Sequence, residues 1–369
     1  MKITHAIAYL SRLLLGIVFV FSGFVKAVDP LGTAYKLSDY MTALGMADSL
    51  QHEHYVFLSV MLSASEFALG MCVLLDFWKR KSIMLCLGAI FIFTLFTFWI
   101  AIVNPVSDCG CFGDAVVLTN WQTFVKNVML FFLALHLYFH HHIPVVHIRK
   151  MYNIYPVLFI CCPILISAYS LYNLPLLDFR PYYIGANIKE GMSIPENSKK
   201  AEYVTHFIME KNGKQKIFGL HDYPDTTWKL IETKVDEVSK GYQPLIRDFY
   251  IKKPEDKSDI TDEILSAKVV YLMIMPYVEN ASQKNIVHFN KLYQEAVLNG
   301  VDFYAVTASS CDNITEWKNK TNAQYPFLLM NETTLKTIIR SSPGLVLIKN
   351  GVVINKWSHN FLPKSLSGL

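Results

Sequence analysis

Along the first half of the chain the hydrophobic residues run in long, nearly unbroken stretches, whereas in the second half they come in short segments separated by polar turns. Five of the long stretches can cross a hydrocarbon core, which takes about 20 helical residues for about 30 Å. They are Ile7 to Val25, Tyr55 to Phe77, Ser82 to Val103, Trp121 to His140 and Ile154 to Leu174. Lys2 ahead of the first stretch imitates a secretory signal, but Arg12 interrupts the run and no small-residue cleavage site follows. The first stretch is therefore expected to remain as a span.

Loop charges predict the orientation, because Lys and Arg near span ends are held on the cytoplasmic side. Lys79, Arg80 and Lys81 follow the second span, and Arg149 and Lys150 follow the fourth. The loop from Asn104 to Asn120 holds no Lys or Arg. These biases place the amino terminus inside, with the 104–120 loop and everything after the fifth span outside. The parity puts that loop on the same face as the carboxy-terminal region.

From Pro175 onward the pattern turns to that of a folded aqueous domain. Tyr203 to Glu210 and Gln215 to Leu220 flank Lys211-Asn212-Gly213-Lys214, a hairpin signal because Asn-Gly accepts the positive φ of a tight turn. Trp228 to Val238 is also strand-like. Further on come a buried strand (Lys268 to Met275), a helix (Ser282 to Asn299), a strand (Val301 to Thr307) and a helix (Asp312 to Asn322). A hairpin about Asn350-Gly351 then joins Leu345 to Lys349 and Val352 to Trp357. This order predicts an α/β sandwich.

Composition agrees with a composite chain: 52% hydrophobic residues is high for a soluble enzyme, and a net charge of +4 spread along the chain argues against a nucleic-acid surface. The chain has seven cysteines, an odd number, of which only Cys109, Cys111 and Cys311 lie outside strongly apolar segments. That excludes a disulfide-stapled scaffold. Cys72, Cys86, Cys161 and Cys162 are expected to act as small hydrophobes.

The chemistry concentrates in Asp108-Cys109-Gly110-Cys111-Phe112-Gly113-Asp114. Two cysteines one residue apart have Cα atoms about 5.5 to 7 Å apart, just within disulfide range, and the small ring imposes poor torsions. Gly110 helps by accepting backbone angles that other residues refuse. A strained disulfide is oxidising and quick to exchange, which suits a relay better than a staple. The bland alternative is a pair that only stabilises a tight loop, or two free thiols. A metal site is a further alternative, since His52 and His54 in the other exported loop complete a four-ligand set for Zn or Cu if the loops meet, but the expectation is no metal. His140-His141-His142 is expected to cap a span rather than bind metal. Within the spans Glu66 stands out, because a carboxylate in lipid needs a partner or a neutral state. Lys26, Lys126 and Asn127 are the candidate partners, and the role is either proton handling beside a redox centre or helix-to-helix bonding.

Phe21-Ser22-Gly23-Phe24-Val25-Lys26-Ala27, Glu66 with Leu69-Gly70, Cys109-Gly110-Cys111-Phe112-Gly113 and Trp121 to Asn127 together resemble the DoxX/MauE group of small membrane proteins over about residues 1–140. The resemblance implies a four-helix bundle and a role in forming or handling disulfides in exported proteins. Arg340-Ser341-Ser342-Pro343-Gly344-Leu345-Val346 resembles the thioredoxin loop that carries a cis-proline, with Ser342 and Pro343 at the corresponding bond. Where thioredoxins place Cys-x-x-Cys, this chain reads Met275-Pro276-Tyr277-Val278-Glu279-Asn280. The low-pKa thiolate of that family is therefore missing. Cys311 is expected to be buried or inert rather than a nucleophile.

The expected organisation is a DoxX/MauE-like transmembrane domain (1–150), a fifth span (151–175), a strand-rich subdomain (176–259) and a degenerate thioredoxin-like domain (260–369). The expected function is disulfide exchange between the Cys109/Cys111 pair and exported thiol-containing proteins at a bacterial inner membrane. In that reading the thioredoxin-like domain is a binding platform, and a quinone is the acceptor that the chemistry suggests although no motif encodes it. The competing expectation is a non-catalytic membrane scaffold of an envelope assembly.

Overall fold

The computed structural model describes residues 2–46, 50–106, 108–140, 155–195, 197–199, 202–211, 214–219, 227–239 and 241–366. Among the described residues six helices form the amino-terminal region: α1 (Lys2–Val28), α2 (Pro30–Ala43), α3 (His52–Leu74), α4 (Lys79–Val103), α5 (Asn120–Phe139) and α6 (Tyr155–Tyr172). Five of them, all but α2, are long and apolar enough to cross a membrane. Each lies within a few residues of its expected span. Arg149, Lys150, His141, His142 and the Asn212-Gly213 turn lie outside the described residues.

Helices α1 and α3 pack backbone to backbone. A Cβ on Gly23 would stand 2.4 Å from the Phe67 nitrogen, and one on Gly70 would stand 2.6 Å from the Val20 nitrogen. Small residues thus permit the close approach that drives helix association where apolar contact alone discriminates little. Arg12, the charge that interrupts the first apolar run, is buried on α1 and paired with Asp76 just past α3. Helix α5 begins with a capping box, the Thr119 hydroxyl accepting from Gln122 N while the Gln122 side chain accepts from Thr119 N.

Helix α2 was not expected. Asp29 caps it by accepting from Gly32 N at 3.0 Å, and Pro30 occupies its first turn, where a missing N–H costs nothing. It lies between the first two spans and covers the cysteine loop.

The carboxy-terminal region contains α7 (Ile188–Met192), then β1 (Glu202–Lys211), β2 (Lys214–Phe218) and β3 (Lys229–Ser239), which pair as an antiparallel sheet in the order β2-β1-β3. It continues through α8 (Thr261–Ser266), β4 (Val270–Met275), α9 (Ile286–Leu298), β5 (Asp302–Thr307), α10 (Cys311–Thr321), β6 (Phe327–Leu329), α11 (Glu332–Ile338), β7 (Gly344–Lys349) and β8 (Val352–Ser358). The second sheet runs β6-β5-β4-β7-β8, with β4, β5 and β6 parallel and the β7/β8 hairpin antiparallel. This is a thioredoxin-like sheet, and Ser342-Pro343 is cis immediately before β7.

Alternation along β4 sends Val270, Leu272 and Ile274 to one core and Tyr271, Met273 and Met275 to the other. The first core also takes Tyr182, Ile188, Ile246, Phe249 and Ile251. The expected boundary at residue 259 therefore moves. Segments on both sides of the three-stranded sheet supply apolar side chains that complete one face of the thioredoxin-like domain. Helix α9 starts four residues later than expected, after Asn285 in the left-handed region at φ 64°. The short strand β6 and helix α11 had not been read from the sequence. Cys311, expected to be buried or inert, is exposed at the start of α10, which removes the first of those alternatives: the hydroxyl of Ser310 caps that helix end, and the next side chain projects outward.

Candidate functional site

The loop between α4 and α5 crosses the end of the bundle, and its two cysteines are held by bonds to their own carbonyls. The Tyr40 hydroxyl, from α2, donates to the Cys109 oxygen at 2.6 Å. The Ser22 hydroxyl and the Lys26 ammonium, one turn apart on α1, donate to the Cys111 oxygen at 2.8 Å each. Asp108 accepts from Gly110 N at 3.1 Å and pairs with Lys36 at 2.9 Å. Gly110 sits at φ +63°, the left-handed turn that glycine tolerates. So constrained, the Cys109 and Cys111 sulfurs lie 3.0 Å apart, both half-buried.

Beneath the loop Lys26 meets Glu66 at 2.7 Å, and Ser22 donates to the same carboxylate oxygen at 2.7 Å. Lys26 is thus the ion-pair partner of Glu66. Asn127 instead donates to the Thr97 hydroxyl at 3.1 Å, and Lys126 lies 4.3 Å from the centre of the Phe112 ring. Neither is the partner, because both project from α5 toward other neighbours. His52 stacks on Tyr35 with ring centroids 5.6 Å apart, and among the described residues no three His, Cys, Asp or Glu side chains gather as a metal site.

The two thiols differ electrostatically. The hydrogen bond from Cys109 lowers the Cys111 thiol, burial opposes it, and Lys126 and Lys26 add to the lowering, bringing it to about 6. Cys109 moves up, through that same bond and through burial. Of the two sulfurs, Cys111 is thus the one whose surroundings favour the thiolate.

The soluble domain reaches this loop through Arg340. Its guanidinium grips Asp29 through Nε at 2.9 Å and Nη2 at 2.8 Å, and stands 3.5 Å from Asp114, three residues beyond Cys111. Burial would raise the Asp29 carboxyl, but Arg340 holds it below its usual value. Arg340 also donates to the Lys336 carbonyl and lies three residues before the cis-proline. The thioredoxin-like domain thus rests its cis-proline end on the face that carries the cysteines. A cavity of about 350 Å³ separates the two, lined by charged groups including Lys36, Asp114, Glu332 and Lys336, and by Gly110 of the cysteine loop. Arg340→Ala leaves the half-buried Asp29 without its cation and is expected to loosen the domain from the bundle. Limited proteolysis at residues 173–179 should then quicken about tenfold or more; an unchanged cleavage rate would mean that the pair does not hold the domain.

Residues 4–140 match the family model described as Methylamine utilisation protein MauE. That match takes in α1 to α5 and the cysteine loop, so the amino-terminal bundle resembles MauE as its motifs imply. Residues 203–240 match a model described as a domain of unknown function (DUF8463), which corresponds to the three-stranded sheet. A search of curated proteins returned no match. Among solved structures, the solution structure of a candidate protein disulfide isomerase from Bacteroides thetaiotaomicron is similar at 15% identity and a TM-score of 0.26, covering 31% of this chain and 77% of that one.

Sequence reasoning missed Tyr40, Lys36, Asp29 and Arg340. For the first three the available signal was Asp29-Pro30, a helix start just past the first span. Arg340 carries no local signal, since its partner is 311 positions away.

Proposed function

We propose that this is a redox-associated membrane protein in which Cys109 and Cys111 cycle between dithiol and disulfide, exchanging with thiols of exported proteins. The observation that carries the reading is the contact of two sulfurs at 3.0 Å on a pinned loop, with Cys111 held as the better leaving group. In the oxidised state a client thiolate attacks Cys109, a mixed disulfide forms, and the Cys109–Cys111 bond breaks to release Cys111 as thiolate. A second client thiolate then attacks the mixed disulfide, forming the client disulfide and releasing Cys109. Two electrons pass from client to protein.

The soluble domain has no Cys-x-x-Cys after β4; there Tyr277 bonds Glu332, and Ser309 bonds both Val278 N and Glu279. It acts as the platform that presents clients to the loop, and the charged cavity below α11 is their approach. The face bearing loop and domain is the exported face of a bacterial inner membrane, a reading supported by Lys79, Arg80 and Lys81 at the opposite end of the bundle. Single Cys109→Ser and Cys111→Ser variants test the exchange: each should stop turnover, and when given an oxidised client Cys111→Ser should accumulate mixed disulfides at Cys109, because in that reverse step Cys111 is the thiol that would release the client. If neither traps a client and the double variant works normally, the proposal fails.

A further inference from the structure

The cysteine loop roofs a small apolar chamber of about 150 Å³, whose walls include Cys109, Cys111, Ile90, Phe96 and Leu130. A cavity of about this volume accepts one six-membered ring. Its exposed wall is mainly apolar, with polar groups set around it, among them Lys26, Glu66, Lys126 and Asn127. A second apolar hollow, of about 380 Å³, runs on between α3 and α4 toward Trp78 and Ser82, and is bordered by Pro156 and Ile160 of α6. Phe19, Leu62, Glu66 and Phe93 belong to the walls of both, so the two adjoin across these side chains. The second lies along the flank of the bundle, where Leu85 of α4 and Ile160 of α6 are exposed. A ring-sized chamber against two sulfurs, adjoining a long apolar groove on the bundle's flank, has the outline of a flat redox-active head with a hydrocarbon tail.

We infer that these hollows bind a prenylated quinone, its ring beside Cys109 and Cys111 and its tail along the groove between α3 and α4. The inference rests on the thiol-disulfide reading and names its electron acceptor. The chamber touches both cysteines, whereas the client cavity meets the loop at Gly110; Thr33, Lys36 and Gly110 line both, so the two adjoin at the loop. With Cys111 already a thiolate, the pair gives up one proton and two electrons and forms one S–S bond; the quinone takes the two electrons, that proton and one further proton from water to become the quinol. Lys126 and Asn127 supply donors for quinone oxygens, and the Lys26–Glu66 pair lines the path by which protons arrive.

The test uses the reduced full chain in detergent without oxygen, with two probes: a quinone carrying two isoprene units and its tail-less parent. One equivalent of the tailed quinone should remove two thiols at Cys109 and Cys111 and yield one equivalent of quinol, at a concentration at least tenfold below that needed for the tail-less parent. Ala89→Trp fills the groove and touches neither cysteine. It should erase that tenfold advantage while the oxidised variant still oxidises a dithiol peptide stoichiometrically. If the wild-type chain oxidises the peptide but neither probe reoxidises it, or if the tail makes no difference, the quinone assignment is overturned and the exchange reading stands. If the oxidised chain does not oxidise the peptide at all, the exchange reading itself has failed.

Discussion

Glu66→Ala is expected to destabilise the bundle by about 3 to 5 kcal/mol, because it strands a buried ammonium whose counter-ion has gone. Lys26 and Glu66 are both buried, and their bond lies between the backbone-to-backbone contact of α1 with α3 and the carbonyl of Cys111. The damage should therefore reach the loop, and the variant should lose disulfide exchange as well as stability. Replacing both partners with apolar residues, Lys26→Met with Glu66→Leu, removes the stranded charge and should recover most of the stability. It should not recover exchange, since nothing then donates from position 26 to Cys111. Unfolding in detergent, compared across the three proteins, measures the first effect, and oxidation of a dithiol peptide measures the second. A Glu66→Ala protein as stable as wild type would show that the pair contributes little.

The second large effect is the reactivity of Cys111. With its thiol lowered to about 6, the thiolate is present above that pH and is lost as the pH falls through it. At pH 7 roughly nine tenths is ionised, against a few per cent for an ordinary thiol near 8.5, roughly a 30-fold difference in thiolate fraction. Alkylation of the reduced protein at Cys111, followed site by site, should rise with a midpoint near 6, while Cys109 stays slow well above neutral pH. Lys126→Met removes one of the cations that favours the thiolate, so the midpoint should move up. A Cys111 profile centred near 8.5 in the wild-type chain would remove the electrostatic asymmetry on which the direction of attack depends.

The spans were legible because a stretch that must satisfy every backbone group inside lipid can only be a long apolar helix. The Cys109-Gly110-Cys111 loop was legible because its chemistry is local, two sulfurs and the residue that lets them meet. Lys26 came within reach of the sequence because a lone carboxylate in a span demands a cation, and few stood near the outer ends of the helices. What stayed hidden was long-range. Asp29 read as a charge after a span, yet it caps α2 and binds Arg340 across 311 positions. The placement of the soluble domain on the loop follows from that contact, and hydrophobic periodicity carries no information about it. The boundary near residue 259 was misplaced for a related reason. Ile246, Phe249 and Ile251 are too few and too close together to signal a core of their own, and only the folded sheet shows that they complete its face.

The most direct test of the central claim is the thiol state of Cys109 and Cys111 in living cells, read by the mass added when free thiols are alkylated at the moment of lysis. The account predicts a pair that is mainly disulfide under full aeration, moves to dithiol when oxidant is withdrawn, and returns within minutes of its restoration. A pair that holds a single state through that cycle would contradict it.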